Sequence, residues 1–555
     1  MIKGIVIIIL AFLFSPLWGY SFNSSVSQHP DFGKVYLKKN NGVLTQAMIN
    51  TANTVYVIQY DYTLNGNTIA LPSGCVLEFD GGHITGGTLT GTVLNESLNI
   101  DNFTLTDDAT EALQNCVNIC GTVVGSNKRY KVSRTININR ALTLKSENLR
   151  LYSDAPLNFM NVNSDNVTIL GVEIKGVAEG YPDKDFTTAR ASYLINIATG
   201  KKDITIKDCV LDSATGGVFV YPTCEDIIVT DCIIKNMVYI PNDISDPFAG
   251  GAGGYGVCLH SQNGGVTTKN VKIYHNTFDN IQRHCAYVQV CKNVDFGYNQ
   301  IVNSILSNAR FTCAVHQAGC DNLLVHDNCM YGGSNFVGLA NYDTLQIPKA
   351  ITNVYNNTLF GITMFAVAAM DDTLQSLTIK GNYVELDNGC GFAYFGTSAK
   401  VEDVTISDNI CSGDILTNTY YNRPNIGMVV FNSTKTVSGV IISNNKFNVG
   451  KNSVEYCPCI NVSYNKLMTS PVLKNIQIVN NQFTNKGQNG RGLLLGDLSV
   501  INSFFASNNI IDVTYQATEI QAVTITDNAD VVIKSNYYKG AMSSAGTTEG
   551  NILIP

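Results

Sequence analysis

The sequence predicts an all-β fold: a single-stranded right-handed parallel β-helix, a solenoid, with an N-terminal capping helix. Three observations predict it. A motif of alternating apolar residues followed by Asn recurs along the chain, its period varies, and the composition is poor in charge. Charged residues make up 14% of the 555 residues, while Asn, Thr, Gly, Ile and Val abound. That mix favours strands and turns over long exposed helices or disorder.

The motif reads apolar, any, apolar, two residues, Asn, any, apolar. It appears as ITIKDCVL, IIVTDCII, VKIYHNTF, VDFGYNQI, LLVHDNCM, NVYNNTL, LTIKGNYV, VTISDNIC, VIISNNKF, IQIVNNQF, FFASNNII and VVIKSNYY. The Asn position is Cys209, Cys232, Asn276, Asn299, Asn328, Asn357, Asn382, Asn409, Asn445, Asn481, Asn509 and Asn536, at spacings from 23 to 44 residues. A fixed motif with a variable period marks a stacked solenoid whose loops differ in length. The β-branched runs supply strands that pair with the coils above and below. Asn is expected to take the left-handed backbone at each bend and to form an amide ladder from coil to coil.

The elements follow in order. Residues 1–20 carry Lys3 and then an apolar run from Gly4 to Trp18, the proportions of a secretory signal, so the protein is expected to be exported and not membrane-inserted once that leader is removed. Residues 21–105 form a β-rich segment with the echo GGHIT then GGTLT; His83 there is expected to be an exposed turn residue. Residues 106–540 form the β-helix. Asp108 or Thr110 is expected to cap a short helix with Ala112, Leu113, Cys116, Val117 and Cys120 on one face. Residues 541–555 are a C-terminal tail.

This helix-then-strand entry, with its A-L-Q core, resembles the N-terminal cap of the pectate-lyase-like β-helix superfamily. Together with the Asn-bend coils the resemblance covers residues 107 to about 540.

Net charge is −8, which leaves no nucleic-acid footprint. Several of the sixteen cysteines sit inside Val/Ile-rich runs, where a free thiol behaves as a small hydrophobe. CPC at Cys457 to Cys459 and CVNIC at Cys116 to Cys120 lack a second pair at zinc spacing, so neither a metal nor a cofactor is expected.

Five of the seven histidines (His260, His275, His284, His316, His326) fall within 67 residues, where an even scatter would place about one. They follow the largest gap in the repeat, between Cys232 and Asn276. Solenoids keep function on one face, often beneath the longest insertions. Alternation in YGVCLH points Cys258 and His260 outward. In RHCAYVQV it points Ala286, Val288 and Val290 inward and Tyr287 and Gln289 outward, with Arg283 and His284 at the entering bend. His275 and His326 precede Asn bends and are expected to face solvent.

These segments also resemble mannuronan C5-epimerases and, more loosely, uronate lyases. In that family a Tyr-Gly-apolar-Asp-Pro-His segment and an Arg-His pair frame the sugar. Tyr255 and His260 match the first segment, Arg283 and His284 the second. The motif's Asp is Cys258 here, and one intervening coil is missing.

The residues themselves fit β-elimination on a uronate-containing polysaccharide, the expected partner. Arg283 suits the carboxylate, His284 or His260 a base, and Tyr255 or Tyr287 an acid. Tyr287, Gln289, Arg310, His316 and Lys235 are candidates for holding the glycan. One rival is a glycoside hydrolase, which needs two facing carboxylates; Asp243, Asp246, Asp279 and Asp295 lie near the same loop. The other is a non-catalytic glycan-binding or adhesive rod.

Overall fold

In the computed structural model the Val/Ile runs become strands, and 43 of them join in one parallel hydrogen-bonded network. The structure describes residues 33–553 outside 178–191, 242–250, 261–266, 305–311, 341–350, 372–373, 397–400, 417–426, 432–435, 455–456, 463–471, 496–499, 521–523 and 543–550. Residues 1–20, where the sequence suggests a leader, and Arg310 lie outside the described residues. The chain is a right-handed parallel β-helix of three faces.

On the first face stack β1 (Tyr193–Ile197), β2 (Gly216–Val220), β3 (Tyr255–Leu259) and the first halves of β4 (His284–Gly297) and β5 (Cys313–His326), followed by β6 (Asn335–Ala340). The second halves of β4 and β5 turn onto the second face, pairing Val294 with Leu323. The third face holds strands such as Ile233–Met237 and Thr277–Ile281. Inward Val, Ile, Leu and Phe fill one continuous core, where rings stack from coil to coil, as in Phe278 on Phe296 at 5.7 Å.

The bend between the second and third faces carries the Asn ladder. Asn276 Oδ1 accepts from the Cys232 N–H, and from Asn276 to Asn509 each Asn donates its backbone N–H and Nδ2 to the side-chain Oδ1 of the Asn in the next coil, a run that continues through Asn536 to Asn551. Asn357 is representative: its N–H and Nδ2 donate to Asn382 Oδ1 at 3.0 and 2.9 Å, and Nδ2 also reaches the Val325 carbonyl at 3.0 Å. Asn551 ends the ladder, accepting from Asn536 at 3.0 Å.

The bend chemistry differs from expectation in one respect. The left-handed residue is the one before the ladder position: Asp231, which precedes Cys232, and His275, Tyr298, Asp327, Asn356, Asp408, Asn444, Asn480 and Asn508, which precede Asn, all have φ between 52° and 59°. The ladder Asn is retained for its buried amide, not for its backbone. Cys209 and Cys232 hold the same position in earlier coils, where their thiols reach the Ile169 and Ile206 carbonyls at 3.7 Å. All sixteen cysteines are free thiols.

A second difference lies in β4. Val290 is buried but has φ +50°, a strained conformation for a β-branched residue. Gly319, beside it in the next coil, has φ +81°. Both turn the strand from the first face to the second, so strict alternation fails and Cys291 fills the core position after Val288.

The helix α1 (Thr110–Ile119) buries Ala112, Leu113, Cys116 and Val117. Asp108 accepts from the Thr110 N–H at 2.9 Å, anchoring its first turn. The helix is a layer with coils on both sides. Asn115 pairs with the backbone of Leu89 and Gly87, whereas Gln114 pairs with that of Asn137. The strands before it also pair in parallel about one short coil apart, as Val55 with Val76 and Thr68 with Thr88.

Candidate functional site

The first face is entered and left by the longest connections, and its outward positions carry aromatic rings. In register, Tyr255 of β3 lies beside His284 of β4, and Tyr287 beside His316 of β5. Because coils stack about 5 Å apart, these side chains must meet. Ring centroids are 5.7 Å apart for Tyr255 and His284, 4.8 Å for His284 and His316, and 5.2 Å for Tyr287 and His316. The strip continues toward earlier coils, with Tyr193 4.5 Å from Phe219 and Phe219 4.7 Å from Tyr221. Gly216 makes room for it, since a Cβ there would lie 2.2 Å from the Tyr193 ring.

Arg283 sits at the edge of this strip. Its guanidinium lies 5.1 Å from the Tyr239 ring and 5.3 Å from the Tyr255 ring, and Nη1 donates to the Tyr255 hydroxyl at 2.6 Å. Tyr239 belongs to a short antiparallel hairpin, Tyr239–Pro241 with Gly251–Gly253, inside the largest insertion. Gly254 (φ +74°) lets the backbone pass, for a Cβ there would meet Arg283 at 2.8 Å. Burial raises the Tyr255 phenol pKa, and Arg283 offsets part of that rise.

The histidines divide. His284 opens β4 directly after the bend at Gln282 and Arg283 and is 1% exposed; its Nδ1 lies 3.0 Å from the Cys313 carbonyl. Burial, with His316 and Arg283 nearby, pushes its pKa far below the usual value, and burial and Arg283 push His316 down to about 3. Both are neutral at neutral pH. A group this enclosed has no approach to a sugar, so His284 is not placed as the base expected of it. His260 stands past the other end of β3, stacked on Phe219 at 5.8 Å. Five residues separate it from Tyr255, on the order of 16 Å along a strand. The structure therefore groups Arg283, Tyr255, Tyr287, His284 and His316 and leaves His260 apart.

Gln289 points outward on the same strip, half-buried. Lys235 is on the third face, 3.7 Å from Asp212, turned from the site by the coil's geometry. Cys258 faces out but is covered, its thiol paired with Tyr193 and its pKa raised by burial.

His326 is not solvent-facing as expected. It is 7% exposed, held between Asp295 and Asp327 at 2.8 Å each and stacked on Tyr355 at 4.9 Å. Of the carboxylates named for a hydrolase, the two within the described residues do not converge. Asp279 is on the third face, Asp295 on the second, and Asp243 and Asp246 lie outside the described residues. The first-face strands from Tyr193 to Ala340 contain no Asp or Glu.

Sequence reasoning missed Tyr239, Phe219 and Tyr193. It also missed that Cys313 joins His284 and His316: Cys313 Sγ is 3.5 Å from His284 Nδ1 and 3.6 Å from His316 Nδ1. A search by linear spacing passes over such a group because its members come from adjacent coils.

No family model and no curated protein sequence matches the chain. Among solved structures, a mutant tailspike protein of E. coli bacteriophage HK620 in complex with hexasaccharide is similar over 83% of this chain and 78% of that one, at 13% identity and TM-score 0.46. The Yersinia enterocolitica family 28 exopolygalacturonase is similar over 79% and 80%, at 13% identity and TM-score 0.40. The catalytic domain of a GH87 alpha-1,3-glucanase in complex with tetrasaccharides is similar over 78% and 68%, at 12% identity and TM-score 0.40.

Proposed function

We propose that this chain is an exported polysaccharide lyase that lays a uronate-containing glycan along the first face and cleaves it by β-elimination at Arg283 and Tyr255. The observation that carries this reading is the 2.6 Å bond from Arg283 to the Tyr255 hydroxyl on a face whose described strands from Tyr193 to Ala340 hold no carboxylate. A guanidinium has five donors in a planar fork, enough to hold a phenolate and meet a uronate carboxylate together.

The step balances on one residue. Tyr255 as phenolate takes the C5 proton, whose acidity Arg283 raises by neutralising the carboxylate. The C5 electron pair forms the C4–C5 double bond, the C4–O bond breaks, and the departing oxygen takes the proton from Tyr255. Tyr287 and the aromatic strip offer apolar ring faces for the sugars.

The test follows unsaturated uronate absorbance and new reducing ends together on a panel of acidic and neutral polysaccharides. Both signals in the native chain, lost in Tyr255→Phe and Arg283→Ala, support the reading. Reducing ends without absorbance replace it with hydrolysis. Glycan binding without either signal replaces it with a non-catalytic rod.

A further inference from the structure

We propose that His284, Cys313 and His316 form a mononuclear site for a borderline-soft divalent cation, with Zn2+ the ion its donor set fits. The three candidate ligand atoms lie within 4.8 Å of one another, and all three residues are buried. Zinc takes His nitrogen at about 2.0–2.1 Å and Cys sulfur at about 2.3 Å, in tetrahedral geometry, so an S···N edge of its coordination shell is about 3.6 Å. The two S···N distances here are 3.5 and 3.6 Å. The three atoms come no further apart than 4.8 Å, so an ion held by all of them draws the donors inward and takes His284 Nδ1 from the Cys313 carbonyl, 3.0 Å away.

A second observation points to the same place. A cavity of about 10 Å³ opens beside Cys313 and His316, lined also by Thr312, Asn335, Gly338 and Leu339. That is about the space of one water or ion. Gly338 keeps it open: a Cβ there would lie 2.7 Å from Cys313 Sγ and 3.5 Å from His316 Nδ1. Three protein donors beside a small void are the plan of a zinc centre with one open position. Two imidazoles with one thiolate also select Zn2+ over Mg2+ or Ca2+, which take oxygen ligands.

The fold explains why the donors meet. His284 and Cys313 open the first halves of β4 and β5, stacked one coil apart, and His316 follows in the same strand as Cys313. The site does not depend on the proposed elimination, which uses Arg283 and Tyr255, and its test reads metal, not turnover.

The experiment treats the full chain with chelator, removes the chelator, and titrates with Co2+ as the spectroscopic stand-in, then with Zn2+ in competition. The expected result is one Co2+ per chain, a thiolate-to-cobalt charge-transfer band, and displacement by Zn2+ binding tighter than about 1 µM. Cys313→Ser should abolish the band and His316→Ala should weaken binding at least about 10-fold. His326→Ala, remote from the three donors, should leave the band unchanged. Far-UV circular dichroism checks that each variant folds. Absence of the band in the native chain overturns the proposal whatever the variants do, and so does a band that survives in folded Cys313→Ser.

Discussion

Arg283 holds Tyr255 through a hydrogen bond and a ring contact at once: Nη1 is 2.6 Å from the hydroxyl, and the guanidinium lies 5.3 Å from the ring. The planar fork makes both possible, and a lysine ammonium cannot reproduce the pair. Arg283→Lys should therefore lower kcat/KM on the responsive glycan by about 100-fold, the scale of removing one oriented charge-stabilising donor. Initial rates of unsaturated uronate formation check this. A loss under about 3-fold would remove Arg283 from the chemistry.

The same pair sets a pH dependence. Burial raises the Tyr255 pKa and Arg283 only partly offsets it, so the phenol is protonated at neutral pH. If the phenolate is the base, kcat/KM should climb about tenfold for each pH unit across the neutral and mildly alkaline range. A histidine base would instead level off above about pH 7. A stopped-assay profile from pH 6 to 10 separates the two, and a plateau near neutrality would count against Tyr255.

The coils were legible because each repeats one demand, an apolar run followed by a residue that satisfies buried backbone, and a buried Asn recurs at that position from Asn276 to Asn536 because its amide is used. What stayed hidden depends on neighbours between coils. Asp231 and Tyr298 show that the left-handed bend accepts varied residues, so no single letter marks it. Val290 at φ +50° breaks the alternation on which inward and outward assignments rested. The meeting of Cys313 with His284 needs the register of β4 and β5, which loop lengths conceal. His326 was misplaced because its partner Asp295 comes from the preceding coil.

The ladder makes a stability prediction. In Asn382→Ala the Asn357 N–H and Nδ2 lose their acceptor, and the Val354 carbonyl loses a donor. Buried groups left this way should cost on the order of 3 kcal/mol together. Asn276→Cys should cost less than Asn276→Ala, since Cys209 and Cys232 already serve the position in earlier coils. Urea unfolding of the three variants against the native chain reads both effects. Equal midpoints for Asn382→Ala and the native chain would show that the ladder adds no stability.

His326 joins two faces of charge. Its Nε2 is 2.8 Å from Asp295 and its Nδ1 2.8 Å from Asp327, while Tyr274 donates to the other Asp295 oxygen at 2.5 Å. His326→Phe keeps a ring to stack on Tyr355 but leaves both carboxylates without their nitrogen partner. Because removing one member of a partly buried polar network costs more than the bond it made, the expected loss is about 1–3 kcal/mol, moderated by the 22% and 30% exposure of the two Asp side chains. The double variant with Asp295→Asn should recover part of that loss, since the charge stranded by the first change is gone. A double-mutant cycle from urea unfolding measures the coupling. Strict additivity would mean that His326 and Asp295 act as independent surface groups despite their contact.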